Sequence, residues 1–247
     1  MIGWRVKAAV LVRSLAIQGS WNYETLTGTG FGFAILPALR ALYSDPEELD
    51  AAVRRHERSF NSHPYLAPLA LGAVIRLEAD GEPPELIDRF KTALRSSLGT
   101  LGDQLVWAGV RPLCLLLALA LVLLGAPWWA VVLAFLCVYN AVHLALMVWG
   151  FDLGLAEGRR VAQRLRHTVM SRVQPGIMMA GAFMAGLVIA LVLTRGVAAA
   201  GAPGVVWSVL AGVGVIGGAV WGQKARRLGV IGAAALVLVG LFAGVVG

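Results

Sequence analysis

The stretch PLCLLLALALVLLGAPWWAVVLAFLCVYNAVHLALMVWGF, residues 112–151, places 40 residues between Arg111 and Asp152 without one Asp, Glu, Lys or Arg. Gly125-Ala126-Pro127 interrupts it once, which makes it a helical hairpin with a short arm at 112–124 and a long arm at 128–149. At 1.5 Å rise per residue the long arm reaches about 31 Å, the thickness of a bilayer's hydrocarbon core. Trp128 and Trp149 stand at its two ends, where interfacial aromatics anchor a span. The short arm reaches only about 20 Å. It either dips into the membrane or extends back through residues 106–110 to cross it.

Outward from this hairpin the composition agrees. The chain has 247 residues, 58% hydrophobic and 14% charged, where soluble domains carry about a quarter charged. Residues 1–110 hold 11 Lys/Arg against 12 Asp/Glu, and residues 111–247 hold 10 against 2, so the net charge of +7 belongs to the apolar part. Arginines between long apolar runs meet lipid headgroups and set topology; the basic balance therefore implies a membrane-lipid surface and no nucleic acid. Cys114 and Cys137 lie inside apolar runs and read as small hydrophobes. Residues 1–16 make no secretory signal, because Arg5, Lys7 and Arg13 leave only residues 8–12 uninterrupted.

Three more uncharged runs follow at 173–194, 196–223 and 228–247, the middle one holding a span at 205–221 after the breaker Gly201-Ala202-Pro203-Gly204. One connecting loop carries Arg159, Arg160, Arg164, Arg166 and Arg172, the next Arg195 alone, and the next Lys224, Arg226 and Arg227. That alternation puts 152–172 and 222–227 in the cytoplasm and the C-terminus outside. The glycine-rich run 212–218 allows close helix packing, either to a partner or within the chain.

Residues 1–110 differ in kind. Asp45-Pro46-Glu47-Glu48 supplies an N-cap, a proline at the first helical position and a capping-box carboxylate. Leu49, Ala52, Val53, His56 and Phe60 then recur at helical spacing, and a second amphipathic helix follows Pro83-Pro84 with Leu86, Ile87, Phe90 and Leu94 on one side. Between them residues 63–75 are apolar, too short to span and broken by Pro64 and Pro68; residues 28–39 repeat the description with Gly28, Gly30, Gly32 and Pro37. Both read as re-entrant segments, which in membrane proteins mark substrate sites. The fold class is thus an all-α integral membrane protein: a region 1–110 with amphipathic and re-entrant helices, and a region 111–247 with four to five transmembrane helices.

No P-loop, dinucleotide fingerprint, His-Glu-x-x-His or cysteine pair is present, so no enzyme activity, cofactor or metal is expected. Polar groups beside Gly- and Pro-broken apolar segments are costly unless they face a cavity or cap a helix end. Asn22, Glu24, Asn61, His63, Asp103 and Gln104 stand in such places, with Trp21, Tyr65 and Trp107 as stacking aromatics.

Arg13-Ser14-Leu15-Ala16-Ile17-Gln18-Gly19-Ser20-Trp21-Asn22-Tyr23-Glu24 followed by Gly30-Phe31-Gly32-Phe33-Ala34-Ile35-Leu36-Pro37, the segment His56-Glu57-Arg58-Ser59-Phe60-Asn61-Ser62-His63-Pro64-Tyr65, and Gly102-Asp103-Gln104-Leu105-Val106-Trp107 through Arg111-Pro112 occur in that order. Together they resemble the IID component of the mannose/fructose/sorbose phosphotransferase sugar transporters. The resemblance implies a multi-pass subunit in the bacterial cytoplasmic membrane that forms the translocation unit with a IIC membrane partner. It further implies soluble IIA and IIB phosphocarriers, a hexose-type sugar, and a higher oligomer of IIC–IID pairs. Gln18, Asn22, Glu24, Asn61, His63, Asp103 and Trp107 are then the candidate sugar contacts. Residues 95–101 depart from the family pattern, which motivates an alternative: a diverged, non-transporting paralogue that binds or regulates a partner. The element at 150–154 survives as Gly150-Phe151-Asp152-Leu153-Gly154.

Overall fold

The computed structural model describes residues 2–165 and 173–200. The spans expected at 205–221 and 228–247, the basic loop 222–227, the glycine run 212–218, and Arg166 and Arg172 lie outside the described residues. Those described are helical apart from turns and two isolated bridges, Asn22 to Leu26 and Leu26 to Phe60. Three helices are long and apolar enough to cross a membrane: Pro84–Leu123, Trp128–Leu165 and Gln174–Val192. The described residues fall into two compact units, one built from 2–118, 129–165 and 173–181, the other from 119–128 and 182–200.

In the first unit the chain begins with α1, Trp4–Ser14, and α2, Gly28–Leu42. Pro37 lies inside α2 and has no N–H for the carbonyl four residues back. That carbonyl, on Phe33, accepts instead from Arg13 Nη1 at 3.2 Å, and the same guanidinium lies 4.7 Å over the Phe33 ring. A proline that should break the helix is therefore accommodated by α1, and residues 28–39 form regular helix. Their glycines serve close approach: a Cβ on Gly30 would lie 1.9 Å from the Ile17 carbonyl oxygen. This assigns Gly28-Thr29-Gly30 to packing.

α3 is Pro46–His56, and Asp45 caps it by accepting from the Glu48 N–H at 3.1 Å, with Pro46 at the first position as the sequence predicts. α4, Ala67–Ala79, is the centre of this unit, with every residue from Ala67 to Ile75 buried. Pro68 falls in its first turn, where a missing N–H costs nothing. A helix apolar all round must be covered all round. α1, α2, α5 and the turn after α7 cover it.

α5, Pro84–Gly102, runs without interruption through a π-helical segment, Asp103–Val110, into α6, Arg111–Leu123. Of the two options for the short arm, extension back through 106–110 is the one found. The widened turns precede Pro112, which cannot donate to Ala108, and Arg111 N–H reaches the Val106 carbonyl. After Gly125, in the left-handed region at φ 85°, α7 occupies Trp128–Glu157. A 3-10 turn, Gly158–Arg160, leads to α8, Val161–Leu165; α9 is Gln174–Ala200. Gly150 and Gly154 lay the end of α7 directly on α4: a Cβ on Gly154 would sit 2.2 Å from the Leu69 carbonyl oxygen. Small residues four apart let helix backbones touch where a hydrophobic driving force is weak.

Candidate functional site

The site begins with the turn His63-Pro64-Tyr65 that leads into α4. His63 is 3% exposed, and it fits only because residue 102 is glycine, whose Cβ would meet the His63 Cβ at 2.1 Å. Its Nδ1 accepts from the Tyr65 N–H at 3.2 Å, which places the ring proton on Nε2. That Nε2 is buried and has no hydrogen-bond partner among the described residues. Burial lowers the His63 pKa to about 4, opposed by the Asp103 charge and reinforced by His143; the ring is neutral near pH 7. A buried neutral N–H with nothing to donate to costs about 1–3 kcal/mol. A ligand oxygen at that point would relieve it.

Aromatic rings surround the imidazole. Tyr65 meets it edge-on at 5.1 Å and Trp107 at 5.3 Å. Tyr65 in turn stacks on His143 of α7, with centroids 3.6 Å apart and planes 13° apart, and lies 5.9 Å from Tyr139. Burial and the Tyr139 hydroxyl both raise the Tyr65 pKa, so its O–H stays a donor. The π-helical segment contributes Asp103 and Trp107, and α6 contributes Arg111, at spacings of four; all three are exposed. The Arg111 guanidinium lies 5.2 Å over the Trp107 ring. Gln104 accepts from Gln174 Nε2 at 3.3 Å.

Of the residues predicted from sequence, the structure brings His63, Asp103 and Trp107 together. Asn61 is exposed on the same strand-like strip, one residue from the buried Ser62. Gln18, Asn22 and Glu24 lie in the loop between α1 and α2. The loop joins this strip where Thr27 N–H and Oγ1 both donate to the Phe60 carbonyl, at 2.9 and 2.8 Å. Gln18 and Glu24 are exposed. Asn22 is spent locally: its Oδ1 accepts from the Glu24 and Thr25 amides, and its Nδ2 donates to Ser20 O and Thr25 Oγ1. This is a side chain shaping a turn. Sequence reasoning did not mark Tyr139, His143 or Arg111 as candidates. The available signal was polar side chains four apart on one stripe of a span, which rarely face lipid.

A second polar cluster ties the first unit together. Glu78 of α4 has a side chain 1% exposed and accepts from Tyr43 OH at 2.5 Å, Arg55 Nη2 at 2.7 Å and His56 Nε2 at 2.6 Å. Burial alone would raise its pKa, but the hydrogen bonds from His56, Tyr43 and Arg55 hold it down to about 2. Burial lowers the His56 pKa against the pull of Glu78; its Nε2 bonds the Glu78 carboxylate, and its Nδ1 stays unpartnered among the described residues. Tyr43 is pushed up to about 12 by burial and by Glu78. Lys91 donates to the His56 carbonyl at 2.7 Å and stands 4.7 Å over Phe31. The Glu78 charge is paired with Arg55, whereas Lys91 has only the His56 carbonyl and the Phe31 face, and burial lowers its pKa to about 7.

Comparison with known proteins adds a lineage. The sequence model of the mannose/fructose/sorbose family IID component of phosphotransferase systems matches residues 5–202. The chain is 30% identical over 177 residues to the sorbose-specific EIID component of Lacticaseibacillus casei, covering 70% of this chain and 62% of that one. It is 31% identical over 186 residues to the mannose-specific EIID component of Escherichia coli K12, covering 73% and 65%. The chain thus spans less than two thirds of the length of these relatives. Among solved structures, one described as the mannose transporter ManYZ in complex with microcin E492 superposes with a TM-score of 0.60 at 29% identity, covering 76% of this chain and 70% of that one. A second, described as a membrane protein, gives 0.66 at 30% identity, with the same coverage.

Proposed function

The chain belongs to the mannose/fructose/sorbose family of phosphotransferase-system IID components, and from that premise we propose that it is a membrane subunit of a phosphoenolpyruvate-dependent, mannose-type sugar transporter. In this reading it sits in the bacterial cytoplasmic membrane as a multi-pass protein and forms the translocation unit with a IIC partner, in a higher oligomer of such pairs. It carries no phosphorylation site of its own; phosphate reaches the sugar through soluble IIA and IIB subunits. His63, Asp103, Trp107 and Asn61 contact a hexose, with Gln18 and Glu24 on the adjoining loop, while Asn22 holds that loop.

The observation that carries the reading is the buried His63 Nε2, without a partner among the described residues, beside the exposed Asp103 and Trp107. These groups stand in and against a helix apolar enough to span, where exposed charge belongs to a water-filled or protein-covered path. A donor without an acceptor, a carboxylate and an aromatic platform suit the donors, acceptors and apolar face of a sugar ring.

Reconstitution of the chain with its IIC partner and soluble phosphocarriers in proteoliposomes tests this. Phosphoenolpyruvate-dependent hexose uptake above protein-free vesicles is expected, and uptake equal to them overturns it. A second reading, the diverged non-transporting paralogue, draws on residues 95–101, where Arg95 donates to Ser59 and Ser97 and Thr100 fold their hydroxyls onto their own helix. It predicts a stable complex with the partner and no uptake.

A further inference from the structure

Arg111 is a permanent charge in a helix suited to spanning, 12 residues before its end at Leu123, which is about 18 Å along the axis. It is exposed. Arg54, Arg55, Arg58, Arg76, Arg159 and Arg164 each reach a carboxylate within 4 Å; among the described residues Arg111 reaches none, like Arg89 and Arg95 of the same helix, but it alone of these three stands at the head of the uncharged run 112–123. Its guanidinium is held over Trp107, and Asp103 lies on the other side of that ring along the helix. An uncompensated guanidinium facing hydrocarbon is costly, so this face meets water, a partner or a ligand.

We propose that Arg111 is a specificity-determining sugar contact, its planar fork donating to neighbouring hydroxyls of a pyranose ring docked against Trp107. The inference rests on the transporter reading above and deepens it. Asp103 can only accept and Arg111 can only donate, so the two ends of the Trp107 platform fix the direction in which a ring lies. The fork presents parallel N–H groups that a lysine point charge cannot reproduce. Sugars that differ in the orientation of one hydroxyl are thereby told apart.

The test uses the chain assembled with its IIC partner in lipid nanodiscs and a panel of mannose, glucose, fructose and sorbose. In the wild-type complex, phenylglyoxal modification of Arg111, followed by peptide mass spectrometry, is slowed by the bound hexose while modification of exposed Arg159 is unchanged. Arg111→Lys weakens binding of the preferred hexose about tenfold, the loss of one hydrogen bond to a charged group, and narrows the preference among the four sugars. Undiminished modification of Arg111 at saturating sugar overturns the proposal without needing any variant to fold. So does wild-type affinity in Arg111→Lys, or loss of the IIC partner on substitution with sugar protection absent, which makes Arg111 a subunit contact. If the wild-type complex binds no hexose, the transporter reading fails together with this inference. If it binds and Trp107→Phe weakens binding while Arg111 proves indifferent, this inference alone fails.

Discussion

Glu78 and His56 are joined at 2.6 Å in a pocket from which both side chains are almost wholly excluded from solvent. The carboxylate on α4 takes donors from Tyr43 at the end of α2 and from Arg55 and His56 of α3. It is the point at which those elements are held in register.

Neutralising the carboxylate leaves Arg55 without its counter-charge and sets an amide N–H where an acceptor oxygen stood. Glu78→Gln is expected to destabilise the protein by about 3–5 kcal/mol, the range for breaking a buried ionic pair, measured by thermal unfolding in detergent. Glu78 has its pKa depressed from 4.5 to about 2, so its stabilisation is complete above pH 4.5 and is lost as pH falls towards 2. Wild-type stability should decline through that window more steeply than that of Glu78→Gln. Parallel curves would remove Glu78 from the account.

His63 carries the opposite charge type with the same pH sense. Its pKa falls from 6.5 to about 4, so the unfolded chain binds a proton first and stability is lost as pH drops from 6.5 towards 4. His63→Asn should flatten that part of the stability profile. A wild-type profile flat between pH 6.5 and 4 would show that the ring is solvated.

The helix contact through Gly154 leaves no room for a methyl group. Gly154→Ala places a Cβ 2.2 Å from the Leu69 carbonyl and should cost about 2 kcal/mol or more, in the overpacking range. Gly99, inside α5 with open space at its Cβ position, is the control: Gly99→Ala should stabilise by about 0.5–1 kcal/mol. Equal effects from the two substitutions, read as shifts in melting temperature, would refute direct contact of α4 and α7.

Arg13 and Pro37 form a removable pair. Arg13→Ala leaves the Phe33 carbonyl without its donor and should cost about 1 kcal/mol. Pro37→Ala restores an N–H in the helix ladder, so Arg13→Ala in that background should cost clearly less. Additive losses across the double-mutant cycle would mean that Arg13 acts elsewhere.

Much of the architecture was legible in the chain. The hairpin around Gly125, the capped start of α3, the helix after Pro83-Pro84 and the membrane class follow from local rules: apolar length against bilayer thickness, cap residues, and helical periodicity. Three ordered motifs in residues 13–112 carried the family. His63, Asp103 and Trp107 were marked as candidates because polar groups beside apolar segments are costly anywhere.

What the sequence could not settle depends on partners distant along the chain. That residues 112–123 continue a longer helix was decided by the π-helical join to α5, and whether Pro37 breaks its helix by an arginine more than twenty residues earlier. Asn22 looked like a sugar ligand until its four local hydrogen bonds were in place. Tyr65, Tyr139 and His143 came together only when α7 was laid against the turn before α4. Local propensity fixes which segments are helices and where they live, because it depends on near neighbours and the solvent. Which polar groups are satisfied and which are left open depends on the atoms that tertiary packing brings to them.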